Sequence, residues 1–303
     1  MTALRRLFPT VLAVAVLLAP VAVASAQGAP AVPPAGEPAA TDTIFGRSGR
    51  LLARFFAPRH SMEVEPIARL FGKREQKDVG TVAVTDSVSG RQLSLFTLLP
   101  FADKVNGRVG DYHIGRFPAE KRAPRSAAYE NPDGFIEVTL ENKDTPVSEH
   151  FRLTDFLTHD QKNVWPKYLV LREPLVDKLE LVLIELKRRG IKAERLAVVS
   201  GFRSPQYNQQ GVGRGGRARD SRHQFGDAAD ILVDNNHDGR MDDLTHDGRV
   251  NSKDVRVLVE AIETVEREFP ELIGGLGLYR ATRSHGPFVH VDVRGVRARW
   301  GRL

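Results

Sequence analysis

One short stretch combines residue types that could bind a metal ion. Residues 221–231, SRHQFGDAADI, place His223 and Asp230 seven positions apart in a run of small and apolar residues. Seven residues span about 10 Å on a helix and more than about 20 Å on a strand, where the two side chains also face opposite ways. Zinc ligands lie about 2 Å from the ion, so neither regular element lets both residues bind one ion. The chain must therefore turn between them, and Gly226 permits such a turn.

A third ligand candidate lies near the C-terminus. His290 stands between Val289 and Val291 in an alternating pattern, which predicts a strand whose imidazole can project into a cleft. Three protein ligands with an open fourth position for water are what a catalytic zinc ion needs, because the ion lowers the pKa of that water towards neutrality. The alternative is a core histidine beside a structural aspartate, with no ion.

Helix and strand patterns surround these three residues. Apolar residues at helical spacing predict two amphipathic helices, the first begun by Pro174 and the second ended by Pro270. Short apolar or alternating runs predict the strands. The predicted segments are helices over about 174–190 and 252–269 and strands over about 195–201, 230–233 and 288–293. Their mixture predicts an α+β domain of ordinary size.

The residues before this domain divide by composition. A basic start, an apolar run and an Ala-Ser-Ala cleavage site are typical of a secretory signal. Positions 43–75 have a loosely helical pattern, and alternation from about residue 79 predicts a small β-rich domain. The expected parts are a signal peptide (1–26), a Pro/Ala-rich linker (27–43), an N-terminal region (44–146) and the α+β domain (147–303). We expect an exported protein of the periplasm or cell envelope, with no stable membrane span after signal cleavage.

Composition narrows the chemistry and the partners. The chain has no cysteine, which excludes a disulfide scaffold, a thiolate metal site and a cysteine nucleophile. Its formal net charge of +6 suits an anionic polymer, and on an export route the cell wall is favoured over nucleic acid. The alternative is ordinary solubility charge. Residues 211–216 match G-x-G-x-x-G but lead into RARDSR, so they predict a basic loop at the cleft mouth and no dinucleotide site.

The insertion 234–254 contains a calcium-loop pattern. Counted from Asp243, oxygen donors fall at positions one, three, five, seven, nine and twelve, with Gly248 at six. The donors are the side chains of Asp243, Thr245, Asp247, Asn251 and Asp254 and the carbonyl of Arg249. The loop resembles the dockerin type of EF-hand loop, with aspartate in place of the usual glutamate at twelve. Bound Ca²⁺ would hold the insertion rigid beside the cleft, and the alternative is an Asp/Asn/Gly turn without an ion.

Four ordered motifs resemble one known family. SGFRSPQYN (200–208), SRHQFGDAADI (221–231), GGLGLY (274–279) and HGPFVHVDVRG (285–295) have the order and form seen in bacterial zinc D-Ala-D-Ala carboxypeptidases and murein endopeptidases. These enzymes share the Hedgehog-like DD-peptidase fold, and the resemblance covers about 147–303. It implies a zinc peptidase that hydrolyses amide bonds in peptidoglycan stem peptides or cross-links. His223, Asp230 and His290 match the family's three zinc ligands.

The resemblance also implies further roles. Arg203 matches an arginine that holds a substrate carboxylate or stabilises the oxyanion. Many relatives have Glu or Asp as general base three residues before the last ligand, where this chain has Pro287. Some carboxypeptidases of the family use a histidine five residues before the ligand, and His285 matches it as acid/base. Asp292 is expected to orient a neighbour by hydrogen bonding. Because of Pro287, a non-catalytic wall-binding or calcium-dependent interaction protein on the same fold remains the rival hypothesis.

Overall fold

The computed structural model describes residues 53–58, 80–85, 92–213, 216–281 and 286–301. Within these ranges the chain has a mixed α/β fold built on two five-stranded sheets. The predicted signal peptide and linker and the proposed base His285 lie outside the described residues. No helix in the described part of the chain is both long and apolar enough to span a membrane.

The first sheet is formed mainly by the N-terminal region. Its strands run in the order β1-β3-β6-β7, and β2 pairs with β3. The strands of this half are β1 (Ala53–Pro58), β2 (Gly80–Thr85), β3 (Gln92–Pro100), β4 (Arg108–Val109), β5 (Tyr112–His113), β6 (Gly134–Val138) and β7 (Lys167–Leu169), with β4 and β5 paired as a separate hairpin. The helical expectation for 43–75 is wrong over β1, because parallel pairing with β3 overrides the local pattern there.

The second sheet and the helices form the C-terminal half. The sheet has the order β12-β10-β11-β9-β8, and its neighbours are antiparallel except for β10 and β12. Its strands are β8 (Leu196–Ser200), β9 (Ala228–Val233), β10 (Gly275–Tyr279), β11 (Phe288–Asp292) and β12 (Ala298–Trp300), and the helices are α1 (Glu173–Arg188), α2 (Pro205–Gln209) and α3 (Ser252–Glu268). The two long helices and the three strands predicted here are confirmed to within a few residues.

The ends of the two long helices follow from local chemistry. Pro174 lies in the first turn of α1, where its missing N–H has no intrahelical partner to lose, and Gly190 follows the helix with φ of +77°. Helix α3 begins with a capping box, in which Asn251 accepts from the Lys253 N–H at 2.9 Å and Asp254 accepts from the Asn251 N–H at 2.7 Å. These caps set where each helix begins or ends against the second sheet.

The two halves share one hydrophobic core. Phe96 and Phe135 from the first sheet belong to the same buried cluster as Leu179 of α1 and Ile231 of β9. Strand β7 follows residue 147 in the chain but pairs with β6, which precedes it. The N-terminal region therefore packs directly against the half that carries the candidate ligands, while the division into domains at 147 stays a prediction.

Candidate metal centre

Adjacent strands and one tight turn bring the three predicted ligands together. Asp230 on β9 lies directly opposite His290 on β11 in the antiparallel register. His223 lies in a 3-10 turn that ends at Gly226, whose φ is +68°. At that glycine an added Cβ would overlap the Val170 carbonyl, so the sharp return of the chain requires glycine. The turn predicted between the first two ligands is present.

The three donor atoms form a nearly equilateral triangle. His223 Nε2 lies 3.1 Å from His290 Nδ1 and 3.3 Å from Asp230 Oδ1, and the last two atoms lie 3.0 Å apart. Tetrahedral zinc with bonds near 2 Å separates its ligand atoms by about 3.3 Å, so this donor set fits the ion. All three residues are buried. In the described part of the chain they are the one group of three or more His, Cys, Asp or Glu with metal-binding dimensions.

Hydrogen bonds on the far side of each ligand set its orientation. His223 Nδ1 lies 2.7 Å from the Gly201 carbonyl oxygen, and His290 Nε2 lies 3.1 Å from Asp292 Oδ2. A carbonyl and a carboxylate can only accept, so each imidazole donates outward and its other ring nitrogen is left facing the centre, where its lone pair can bind a metal once any proton there is displaced. The second carboxylate oxygen of Asp230 accepts from the Arg203 guanidinium.

Burial and mutual charge control protonation in the cluster. Burial lowers the pKa of His223, which favours the neutral imidazole that a metal requires. Burial alone would raise the pKa of Asp230, but the two histidines hold it well below its usual range. Burial likewise opposes the charged form of His290, but hydrogen bonds and charge from Asp230 and Asp292 outweigh it and raise the pKa. A metal binding here would displace a proton from the cluster.

Asp292 connects the centre to the core. Its buried carboxylate accepts from the Gly275 N–H at 2.7 Å and from Arg294 Nε at 2.9 Å, in addition to the contact with His290. Its carbonyl accepts from the Lys178 ammonium at 2.9 Å, and that buried ammonium also donates to Glu266 at 2.7 Å. Strand β11 is thereby tied to both long helices two residues after the candidate ligand His290.

The cluster lies in an open cleft of about 830 Å³. The cleft is lined by the three candidate ligands, by Tyr279, Phe288 and Trp300, and by the arginines Arg125, Arg203, Arg217, Arg219, Arg222 and Arg294. The rings of Tyr279 and Phe288 stack with centroids 4.7 Å apart, and the Trp300 ring lies 5.1 Å from that of His290. This aromatic wall was not predicted from the sequence. The available signal was that Trp300 is one of only two tryptophans in the chain.

The predicted calcium loop lies outside this cluster. Asp243 Oδ2 accepts from the Gly248 N–H at 2.7 Å, as in a loop closed on its first residue. Asp254 is fully buried, and its oxygens accept from the backbone N–H groups of Leu244 at 2.9 Å and Asn251 at 2.7 Å. The carboxylate at position twelve therefore caps α3, and calcium binding by this loop stays a prediction.

The remaining predicted site residues are placed differently. Arg203 lines the cleft, but its guanidinium contacts Asp230 and its Nε donates to Ser200 Oγ at 2.8 Å. Asp292 lies beside His290, where its expected orienting role is geometrically available. His285 lies outside the described residues. The catalytic roles of Arg203 and His285 stay predictions.

Comparison with known proteins gives one family match. Residues 171–300 match the family model Peptidase_M15_2, described as peptidoglycan L,D-endopeptidase MepK. The match covers all three candidate ligands and supports a peptidase that acts on peptidoglycan, for which an extracytoplasmic location is appropriate. No curated protein and no solved structure gives a significant match.

Proposed function

We propose that this protein is a zinc-dependent peptidoglycan peptidase that hydrolyses amide bonds in stem peptides or their cross-links. The observation that carries the proposal is the buried triangle of His223, Asp230 and His290, with donor atoms 3.0–3.3 Å apart in an open cleft. The family match over 171–300 supports the substrate, and its description favours an endopeptidase that cuts an L,D bond over a D,D-carboxypeptidase.

Hydrolysis adds the oxygen of water to the carbonyl carbon, breaks the C–N bond and delivers a proton to the leaving amine. Zinc, when bound, supplies a Lewis acid that lowers the pKa of water and polarises the carbonyl. The Gly201 carbonyl and the Asp292 carboxylate accept from the outward nitrogens of the two histidines, so that each ring in its neutral form turns its lone pair to the centre. The ligand set is therefore oriented before substrate arrives.

Two further residues are assigned roles in this proposal. Arg203 lines the cleft and touches Asp230, a position from which a guanidinium can hold a substrate carboxylate or the oxyanion. His285 moves the proton from water to the leaving amine, as an imidazole with a pKa near working pH can. We further infer a Hedgehog-like DD-peptidase fold for residues 147–303 and export through the signal at 1–26.

Digestion of purified peptidoglycan and isolated muropeptides tests the proposal. Residues 27–303 are incubated with and without Zn²⁺ and after chelation, and products are read by mass spectrometry. We expect zinc-dependent cleavage, with the mass lost identifying the bond. His223→Ala removes activity, whereas His246→Ala, at an exposed loop histidine, retains it. If folded, zinc-loaded protein leaves every substrate intact, the peptidase is refuted and a non-catalytic wall-binding protein takes its place.

Calcium binding is tested separately. We expect Ca²⁺ to raise the melting temperature of the chain and Asp243→Ala to abolish that rise, because Asp243 is the first donor of the loop. Equal melting temperatures with Ca²⁺ and with chelator would leave the segment as an Asp/Asn/Gly turn.

A further inference from the structure

One wall of the cleft comes from outside the residues that match the family model. The segment 122–130 packs against Arg222, the neighbour of the candidate ligand His223. The Arg222 guanidinium lies 4.6 Å from the ring centroids of both Tyr129 and Phe225 and donates to the Ala128 carbonyl at 2.6 Å. The N-terminal region is therefore positioned to contact whatever occupies the cleft.

Arg125 is the exposed cation on this wall. Its guanidinium lies 4.3 Å from the Tyr129 ring centroid and 3.4 Å from Asp220, and its side chain is 62% exposed. The Asp220 carboxylate is already held by Arg122, which donates to both of its oxygens. One carboxylate shared by two guanidinium groups leaves one positive charge unbalanced.

Two more arginines lie on the same rim. Arg217 lies 4.0 Å from the Tyr207 ring centroid and donates to the Tyr207 carbonyl, and Arg219 is exposed beside Asp220 in the chain. Among the described residues, no carboxylate forms an ion pair with either arginine. We call Arg125, Arg217 and Arg219 the arginine rim.

The deeper arginines of the cleft differ from the rim in this respect. Each has its own carboxylate: the pairs are Arg203 with Asp230, Arg222 with Asp227 and Arg294 with Asp292. The deeper arginines are thus each neutralised by a carboxylate, whereas the arginines of the rim are not. A substrate carboxylate gains most where the guanidinium donors are not already neutralised.

We propose that the arginine rim is a carboxylate-binding subsite, in which Arg125 is a specificity-determining residue that favours stem peptides with free carboxylates over their carboxamides. This rests on the proposed peptidase function and deepens it. A guanidinium that lies over an aromatic ring, as that of Arg125 lies over Tyr129, can still offer N–H groups for two-point contact with a carboxylate. Because Arg125 is exposed, water weakens the contact, and about a three- to tenfold preference for the acid is expected.

The test compares two soluble muropeptides that are identical except that the stem-peptide carboxylates are free in one and amidated in the other. For the zinc-loaded full chain we expect a higher kcat/KM for the acid, carried by a lower KM. Arg125→Ala brings the acid-to-amide ratio towards one, and Arg125→Lys restores part of it. Arg297→Ala is the matched control, since Arg297 is also exposed and also shares one carboxylate, Glu263, with a second arginine but does not line this cleft, and it keeps the wild-type ratio.

Two outcomes would overturn the subsite. Either a wild-type ratio near one, or an Arg125→Ala variant with the wild-type ratio, refutes it while leaving the peptidase intact. If neither muropeptide is cleaved, the proposed function fails. Equilibrium binding of the same two peptides then tests the carboxylate-binding subsite independently of cleavage. A tighter binding of the acid that Arg125→Ala removes supports the rim in that case, and equal binding refutes it.

Discussion

Replacing Asp292 by asparagine tests how the centre is preorganised. The buried carboxylate accepts on one oxygen from the Gly275 N–H and the Arg294 N–H, and on the other from His290 Nε2 and the Arg294 side chain. An amide has one accepting oxygen and one donating nitrogen of nearly the same shape. Whichever way the introduced amide is turned, its NH₂ group faces N–H donors.

The consequence for the metal follows from the tautomer of one imidazole. If the amide nitrogen faces His290, that ring must accept at Nε2 and hold its proton on Nδ1, the atom that faces Asp230 and His223. If the oxygen faces His290, two backbone donors lose their acceptor. Loss of such an outer partner typically costs about 10- to 100-fold in metal affinity, which is about 1.4–2.7 kcal/mol.

The assay is competition for Zn²⁺ against a chromophoric chelator. Asp227→Asn is the matched control, because that carboxylate is also buried and also pairs with an arginine, Arg222, but forms no hydrogen bond with a ligand histidine in the described part of the chain. We expect the control to lower the melting temperature of the metal-free protein while keeping wild-type zinc affinity. An Asp292→Asn variant that binds zinc within about threefold of wild type would refute the reasoning.

Three other predictions concern the base, the aromatic wall and acid stability. His285→Ala should lower kcat with zinc stoichiometry unchanged by metal analysis, and full activity would remove His285 as the base. Gly277→Ala should destabilise the fold by about 1–3 kcal/mol in urea unfolding, because the added Cβ overlaps the Trp300 indole, and an unchanged midpoint would contradict that contact. Burial opposes ionisation of Glu180, but hydrogen bonds from His150 hold its pKa below the usual range. The ionised carboxylate therefore stabilises the folded state above about pH 4.3, and this contribution is lost as the pH falls through the folded-state pKa. Glu180→Gln should therefore lower the urea midpoint at neutral pH and flatten its decline in acid, and parallel pH profiles would disprove the link.

Local sequence patterns were sufficient to predict the features that depend only on residues close together in the chain. The amphipathic faces and end signals of α1 and α3 were readable, since helix periodicity and capping depend on neighbours within one or two turns. The ligand candidates could also be identified from the sequence. With the spacing from His223 to Asp230, neither a helix nor a strand lets both residues bind one ion, so a turn is required between them. The structure brings these two residues and His290 together as predicted.

Pairing between distant segments was not readable in this way. Strand β1 looks helical by its own pattern and becomes a strand by pairing with β3, about 40 positions later. The wall formed by Arg125 and Tyr129 likewise depends on packing against Arg222, about 95 positions away, and no local pattern encodes that contact.

The pairing of arginines with carboxylates also could not be predicted without the fold. The sequence shows many arginines near the predicted cleft, but not which of them already have a carboxylate partner. Arg203 was expected to meet substrate, and the structure places its guanidinium against the candidate ligand Asp230. Residue types and short spacings therefore determined which atoms could bind a metal. Tertiary packing decided which positive charges remain available to substrate, because an ion pair forms only when two side chains that are far apart in the chain lie within a few ångströms of each other.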